Sequence, residues 1–318
     1  MHTSPLKTLR MGALLVVVFL LAGLAMPKWL LFLSTMALSH GLVSLGIVIQ
    51  MRSDVVSFGQ GFVFAAGGYA TALAANHLGV TDAILMVLVG GFAATLCTLP
   101  FAPLLSRYRG IFFAMLTLAI SMVLYGILVK TESLGGSDGF NVSRPTLFGH
   151  AIEAGESNWL LYNLAVVVVG IIATLARIYA DSVRGLVSLA IRENELRVEY
   201  LGASVSQSIA FNFLIAAFMG GAGGALTLMS LGHIDPNFSY WTTSGEFVFV
   251  AILAGHQSML AVFLGSFVVE VVRSFSNLYF PNTWQLAMGL FLLVVIRFLP
   301  RGLGSLWMDK RAKKETPP

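Results

Sequence analysis

The sequence predicts an all-α integral membrane protein, a polytopic bundle of about 8–10 transmembrane helices in a single domain over residues 1–318. Of its 318 residues, 57% are hydrophobic and only 11% are charged, which is too little charge to cover a soluble domain of this size. Apolar runs near the roughly 20 residues that a helical span needs recur from end to end. Uninterrupted runs such as Leu14–Leu21 and Val166–Leu175 do not show the alternation of a β-barrel strand.

The apolar runs predict the individual spans. They lie near 11–27, 29–50, 58–77, 82–105, 110–129, 159–179, 207–231 and 283–299, with a difficult stretch at 246–273. Lys7 and Arg10 ahead of the first run resemble a signal peptide, and Gly23 with Ala25 resembles a cleavage site. Because the second run begins at once with Trp29, we expect an uncleaved first span.

Basic residues flanking the spans predict the orientation. Lys7 and Arg10 place the N-terminus in the cytoplasm, the loop at 130–158 then falls outside, and the charged segment 181–203 falls inside. The basic C-terminal tail, 301–318, is also expected inside, which requires an even number of crossings. The stretch 246–273 must therefore contribute two crossings or none. His256-Gln257-Ser258 divides it into halves that are each too short to span upright, so we expect a broken or re-entrant element there.

Motifs for chemistry are missing from the sequence. It contains neither a GxxxxGK[ST] phosphate loop nor HExxH, and its six histidines are scattered singly. We therefore expect no enzyme, no metal site and no cofactor bound by this chain. The single cysteine, Cys97, lies in an apolar run and is expected to be a buried packing residue. A net charge of +4 does not call for nucleic acid, and lipid is the expected surroundings.

Within the segment 181–203, residues 184–202 read as a helix of about four turns. Asp181 or Ser182 can cap its start, Glu193 and Arg197 form an i,i+4 pair, and Gly202 suits its end. It is too short and too charged to span the membrane. Either it docks a cytoplasmic partner or it is an ordinary solvated helix between two spans.

Polar residues within the apolar segments are the other candidates for function. Ser57 and Gln60 lie in a glycine-rich opening to the third span, and Glu246 lies near the start of a later one. The alternative of an ion-coupled secondary transporter would use intramembrane carboxylates such as Glu246 or Glu270. Glu270 is close enough to pair with Arg273, which favours a structural role.

Three further patterns have a structural interpretation. Gly220-Gly221-Ala222-Gly223-Gly224 has the small-residue spacing of close helix packing. His233 and His256 are expected to be satisfied polar residues rather than metal ligands. Residues 62–66 (FVFAA) echo 247–251 (FVFVA), which leaves open whether the chain contains an internal repeat.

Several motifs in order resemble one known family. Residues 190–195 read AIRENE and are followed by Leu201-Gly202; residues 57–61 read SFGQG, 67–69 GGY, 109–119 RGIFFAMLTLA, 135–139 GGSDG and 300–303 PRGL. Together these are similar to the M-type permease of branched-chain amino acid ABC importers, over roughly residues 40–305. One departure is that Ala254-Gly255-His256-Gln257-Ser258 stands where the family usually has a GGLGS-like turn. We therefore expect either branched-chain amino acids or a related small solute such as urea, amides or other amino acids.

The resemblance implies a mechanism and a set of partners. The chain would pair with a homologous H-type permease and two cytoplasmic ATPase subunits that use the ATP, and an extracytoplasmic substrate-binding protein would deliver substrate at a bacterial inner membrane. The expected ATPase-coupling residues are Arg192, Glu193, Asn194, Glu195 and Gly202. The candidate translocation path comprises Ser57, Gln60, Glu246 and His256, and the candidate outer loop comprises Gly136, Ser137 and Asp138.

Overall fold

The computed structural model describes residues 5–147, 150–151, 157–255, 259–279, 281 and 283–298, and it confirms the all-α membrane fold. Ten helices of 14 or more residues form the bundle in this part of the chain: α1 (Pro5–Gly23), α2 (Lys28–Met51), α3 (Gln60–Leu78), α4 (Ala83–Thr98), α6 (Gly110–Lys130), α7 (Ser157–Asp181), α10 (Val205–Leu231), α11 (Trp241–Ala254), α12 (Met259–Tyr279) and α13 (Trp284–Phe298). Three shorter ones are α5 (Ala102–Leu105), α8 (Val183–Glu193) and α9 (Glu195–Tyr200).

Six of the described helices are long and apolar enough to cross a membrane, namely α1, α2, α6, α7, α10 and α12. Helices α4, α11 and α13 are apolar but shorter. The protein is thus a multi-pass membrane protein, and the predicted number of 8–10 spans stays a prediction, since six of the described helices meet the length and hydropathy of a span. The predicted span 82–105 is the main boundary error in the first half, because the helix ends at Thr98 and a turn leads into α5.

One face of the bundle, which we call the loop face, carries the long connection between α6 and α7. Two two-stranded ladders form there: β1 (Phe140–Asn141) pairs with β4 (His233–Ile234), and β2 (Thr146–Leu147) pairs with β3 (His150–Ala151). The 3₁₀ turns Glu132–Leu134 and Pro236–Ser239 flank these strands in sequence. The Asn76 amide at the end of α3 donates to the Asn141 carbonyl at 3.0 Å, so the ends of α3, α6 and α10 meet on this face.

The opposite face, which we call the α8 face, brings together the end of α2, the end of α7 and the start of α10. Arg52 Nη2 donates to the Ala180 carbonyl oxygen at 3.0 Å, and the Ser106 and Ser206 hydroxyls are 2.7 Å apart. Helices α8 and α9 lie here, between α7 and α10. Both faces are thus defined by contacts between residues far apart in sequence.

Helix α1 packs along α7. The Tyr162 hydroxyl donates to the Phe19 carbonyl at 2.9 Å, and Gly23 faces the Tyr162 ring. The first apolar run is therefore a helix of the bundle.

The core forms where α10 packs against α2, α3 and α4. The glycine stripe predicted for close packing has this role: a Cβ on Gly221 would lie 2.9 Å from the carbonyl carbon of Gly90, and one on Gly223 would lie 2.8 Å from the Ser39 carbonyl oxygen. Real side chains do not approach so closely, so glycine is what lets the backbones touch. The packing interpretation of Gly220–Gly224 is confirmed.

The stretch 246–273 is broken, as expected, but its halves differ from the prediction. Helix α11 ends at Ala254, Gly255 has φ +74°, and α12 starts at Met259. Residues 256–258, including the candidate path residue His256, lie outside the described residues. The expectation that each half is too short to span is wrong for the second, because α12 continues to Tyr279 and has 21 residues. Arg273 does not end the helix, because its charge is paired with the carboxylates of Glu246 and Glu270.

Two other expectations concern single regions. Cys97 was expected to be buried and is instead exposed on α4, because α4 packs through Met86, Gly90 and Ala94 while Cys97 lies on another side. The basic tail 301–318 lies outside the described residues.

A substitution tests the close packing of α10. Gly221→Ala would push a methyl group against Gly90, and we expect the free energy of unfolding to fall by about 1–3 kcal/mol. Thermal unfolding of the detergent-solubilised protein measures the change. Gly126→Ala, in α6 where an added Cβ meets nothing within 4 Å, is the matched control and should be neutral or stabilising. Equal thermal stability of the two variants would contradict the packing argument.

Candidate functional site

The N-termini of α3 and α11 meet inside the bundle, and we call residues 57–61 with 239–246 the helix junction. The Gly61 backbone amide donates to the Ser244 Oγ at 2.8 Å. Before α3, Ser57, Phe58 and Gly59 are not helical, as the glycine-rich sequence predicted; before α11, the chain turns through Pro236–Ser239. Helix α3 thus begins at the buried Gln60, whereas α11 begins at Trp241, which is 52% exposed on the outside of the bundle.

Helix α6 supplies the hydrogen bonds that these non-helical segments lack. Thr117 Oγ1 accepts from the Phe58 amide at 3.2 Å, and Ser121 Oγ donates to the Ser239 carbonyl at 2.7 Å. Both side chains lie near the middle of α6, so the helix junction lies near mid-depth of the bundle. A backbone that leaves helical geometry at membrane depth needs such partners from the protein itself.

Aromatic rings pack beside the junction and tie its two sides together. Phe64 of α3 stacks on Phe238 with ring centroids 4.8 Å apart and meets Phe247 of α11 edge-on at 5.0 Å. The two segments of the proposed repeat, 62–66 and 247–251, therefore lie side by side in α3 and α11. The internal repeat itself stays a prediction.

The candidate path residues Ser57 and Gln60 are both fully buried at the junction. Ser57 Oγ accepts from the Gly59 amide at 3.2 Å, which stabilises the turn into α3. Gln60 lies at the first position of α3 against Gly220 of α10, and its Oε1 is buried without a hydrogen-bond partner among the described residues. Their role in transport stays a prediction.

Glu246 belongs to a group of four ionisable residues, here the charged cluster: His40, Glu246, Glu270 and Arg273. Arg273 Nη1 lies 3.1 Å from Glu246 Oε2 and 3.7 Å from Glu270 Oε1, and His40 Nδ1 lies 2.9 Å from Glu270 Oε1. The expected Glu270–Arg273 pair is present, but it is one part of this larger set. The cluster joins α2, α11 and α12 beside the junction, where a low dielectric makes isolated charges costly.

On the α8 face, the segment expected to be one helix is two. Asn194 is extended (φ −164°, ψ 104°), ends α8 and starts α9, where its side chain accepts from the Arg197 amide at 3.0 Å. Asparagine competes with helical hydrogen bonds in this way, which the sequence interpretation overlooked. The i,i+4 geometry expected for Glu193 and Arg197 is therefore absent between these two described residues.

The ends of the same segment agree with the sequence. Of the two capping residues considered, Ser182 is the N-cap, accepting from the Gly185 amide at 3.4 Å, while Asp181 pairs with Arg177 at 3.1 Å. Gly202 follows α9 with φ +85°, a conformation that favours glycine.

The expected ATPase-coupling residues divide into two groups. Arg192, Glu193, Asn194 and Gly202 are exposed. Glu195 is instead half-buried, and its Oε1 lies 2.6 Å from Arg109 Nε at the start of α6. Arg109 also donates to the Ser106 carbonyl at 2.6 Å, so α9 is fastened to the turn between α5 and α6.

The exposed side of α8 and α9 is apolar as well as charged. Leu196, Tyr200 and Leu201 are 65%, 89% and 81% exposed, although they lie outside the long helices. Exposed large apolar side chains grouped on one surface are typical of a protein–protein contact. Sequence reasoning concentrated on the charges and did not name these three.

On the loop face, the candidate outer loop is a tight glycine turn. Gly135, Gly136 and Gly139 have φ of +89°, +55° and +71°, so the GGSDG sequence is needed for backbone shape. Ser137 Oγ donates to Asp138 Oδ1 at 3.0 Å. His233 contacts the Asp138 carbonyl at 3.1 Å and Asn141 Oδ1 at 3.0 Å, as expected for a satisfied polar residue.

Sequence reasoning missed several residues that build these sites: His40, Thr117, Ser121, Ser244 and Arg109. Their signal is faint, since each is a common polar residue within or next to an apolar helix. Arg109 and Thr117 both lie in the motif at 109–119, which carries the family resemblance but gives neither residue a role. Among the described residues, no group of three or more His, Cys, Asp or Glu side chains could hold a metal ion.

Comparisons with known proteins identify similar sequences. Residues 29–297 match the family described as "Branched-chain amino acid transport system / permease component". The chain is 26% identical over 294 residues to the high-affinity branched-chain amino acid transport system permease protein LivM of Escherichia coli (strain K12), covering 85% of this chain and 69% of that protein. The protein of the same name from Salmonella typhimurium (strain LT2) gives the same identity and coverage. No solved structure gives a significant match.

A substitution in the charged cluster tests its part in stability. Arg273→Met would leave the carboxylates of Glu246 and Glu270 without their shared cation, and we expect a loss of about 2 kcal/mol in unfolding free energy. Adding Glu246→Gln should restore part of it by removing one carboxylate charge. Thermal unfolding in detergent is the measurement, with Arg297→Met, at an exposed position on α13, as control. An Arg273→Met variant as stable as the control would show that the cluster does not hold these helices together.

Proposed function

Because the chain belongs to the family of permease components of branched-chain amino acid transport systems, we propose that it forms half of the transmembrane path of an ABC importer for these amino acids. The other half is a homologous H-type permease. In this role the chain performs no chemistry and binds no cofactor, and separate ATPase subunits supply the energy.

The observation that carries this proposal is the helix junction. Helices that begin at mid-depth, with non-helical backbone ahead of them, are what transporters place at their substrate and gating sites. The Gly61–Ser244 hydrogen bond holds two such N-termini together, and small movements of α6 through Thr117 and Ser121 would separate or close them. Ser57, Gln60 and Glu246 then belong to the path between the two access states.

The surface of α8 and α9 suits the ATPase partner. It offers the charges of Arg192 and Glu193 together with the exposed Leu196, Tyr200 and Leu201, which form an apolar centre with a polar rim. One of the two cytoplasmic ATPases would bind this surface, and the other would bind the corresponding surface of the H-type permease. With the ATPases on this face, we propose that both termini lie in the cytoplasm and that the membrane is a bacterial inner membrane.

The loop face suits the remaining partner. An extracytoplasmic substrate-binding protein would dock on the ordered loop around Gly136, Ser137 and Asp138, which His233 fastens to the bundle. The relatives are named for branched-chain amino acids, and leucine, isoleucine and valine are the first substrates to test. Urea, short amides and other amino acids are the alternatives, because of the departure at Ala254 and His256.

A pull-down from detergent-solubilised membranes tests the assembly. The wild type is expected to copurify with a second permease and an ATPase. The double reversal Arg192→Glu, Glu193→Arg should lose about tenfold of the ATPase, since both side chains are exposed on the docking surface. The matched control is Lys130→Glu, Glu132→Lys, a reversal of two exposed charges on the loop face, which should keep the ATPase bound.

The contrary outcome of that experiment is also specific. A wild-type chain that purifies without an ATPase, yet takes up substrate in proteoliposomes under an ion gradient alone, would overturn the importer assignment.

The Arg109–Glu195 ion pair gives a second test. Arg109→Glu or Glu195→Arg alone should lower ATP-dependent leucine uptake by about fivefold, equivalent to about 1 kcal/mol. The double charge swap should recover much of the uptake, because it restores an attractive pair between α9 and the start of α6. A double variant no better than either single one would show that the pair does not link these elements.

A further inference from the structure

Asn212 lies at the centre of a buried polar network on the α8 face, which we call the Asn212 network: Asn212, Ser53, Ser188 and Tyr179. Asn212 Nδ2 donates to Ser53 Oγ at 2.5 Å and to Ser188 Oγ at 2.9 Å, and its Oδ1 accepts from the Tyr179 hydroxyl at 2.5 Å. Asn212, Ser53 and Ser188 have at most 1% of their surface exposed. One amide thus uses three of its four hydrogen-bonding positions on side chains from elsewhere in the chain.

The four members come from four different elements. Asn212 is on α10, Tyr179 is at the end of α7, Ser188 is on α8, and Ser53 lies in the non-helical segment that leads from α2 to the helix junction. A single amide therefore connects the helix with the exposed docking surface to the segment that enters the middle of the bundle. Ser53 lies only four residues before Ser57, where the chain turns to begin α3.

Packing around the network makes the connection stiff. Ile191 of α8 lies in one apolar cluster with Val55, of the segment leading to the junction, and with Phe113 of α6. A Cβ on Gly185 would lie 2.7 Å from the carbonyl carbon of Ala180, so α8 sits directly on the end of α7. A displacement of α8 cannot be absorbed by loose side chains here, since packed interiors transmit strain.

A purely structural role for Asn212 is the competing explanation. Buried amides often only satisfy neighbouring polar groups. Loss of such an amide would lower stability and would reduce ATP hydrolysis and uptake alike. What the structural explanation does not account for is the choice of partners. The amide reaches Ser53 across 159 positions of sequence and Ser188 across 24. Under the proposed function, these two serines lie on the elements that an ATPase would move relative to each other.

We propose that Asn212 is a positioning residue for energy coupling. It holds Ser188 of α8 to Ser53, so that movement of α8 displaces residues 53–59 and, through them, the N-terminus of α3. The inference rests on the proposed function, in which an ATPase moves α8. It assigns coupling to a residue inside the bundle that touches neither the ATPase nor the substrate.

The test compares ATP hydrolysis with leucine uptake in proteoliposomes containing the full complex of both permeases, the ATPases and the binding protein. Asn212→Leu keeps the approximate volume and removes every hydrogen bond of the amide. We expect the ATPases to remain bound and to hydrolyse ATP, while the substrate transported per ATP falls by about tenfold. The control is Thr71→Val, which removes equally buried hydrogen bonds to Gly67 and Met86 on the other side of the core and should leave that ratio unchanged.

A second variant decides the matter if Asn212→Leu does not fold. The double variant Ser53→Ala, Ser188→Ala removes both acceptors of the Asn212 amide nitrogen. It leaves the hydrogen bond from the Tyr179 hydroxyl to the Asn212 amide oxygen. This variant should show the same loss of transport per ATP. An unchanged ratio in this variant, or a loss of hydrolysis and uptake in equal proportion, would overturn the role of Asn212. Absence of the ATPase from the wild-type complex would instead overturn the proposed function, so the two failures are distinguishable.

Discussion

The backbone ahead of α3 and α11 leaves helical geometry inside a bundle surrounded by lipid, where water cannot satisfy its polar groups. The protein supplies the partners from side chains: Thr117 for the Phe58 amide, Ser121 for the Ser239 carbonyl, and Ser244 for the Gly61 amide. Most other features of the fold serve this arrangement. These groups come within hydrogen-bonding distance because of where α6 lies and because aromatic rings pack around Phe64. The chain also reaches the junction from the α8 face ahead of α3 and from the loop face ahead of α11.

Two connections run from the α8 face to the junction. One passes from α8 through Asn212 to Ser53 and along residues 53–59. The other passes from α9 through the Glu195–Arg109 pair to α6, which carries Thr117 and Ser121. The break at Asn194 gives each connection its own helix.

Local sequence predicted much of the fold, because apolar length and glycine spacing report helices and their close contacts directly. The span positions, the glycine stripe of α10 and the break after Ala254 follow from neighbouring residues alone. The candidate sites were predicted less well, since their geometry depends on distant pairs: His40 with Glu270, Arg109 with Glu195, and Ser53 with Asn212. A lone serine or asparagine in an apolar helix gives no indication of which distant side chain it will meet.

The central claim is that events at the α8 face change access to the helix junction, and thiol labelling tests it directly. Ser57→Cys, in a chain with Cys97→Ala, would be assembled into the complex and treated with a membrane-impermeant thiol reagent in nucleotide-free and nucleotide-trapped states. Ser57 is fully buried in this structure. The account predicts that its replacement reacts from one side in only one of the two states. A cysteine that stays equally unreactive, or equally reactive, in both states would contradict it.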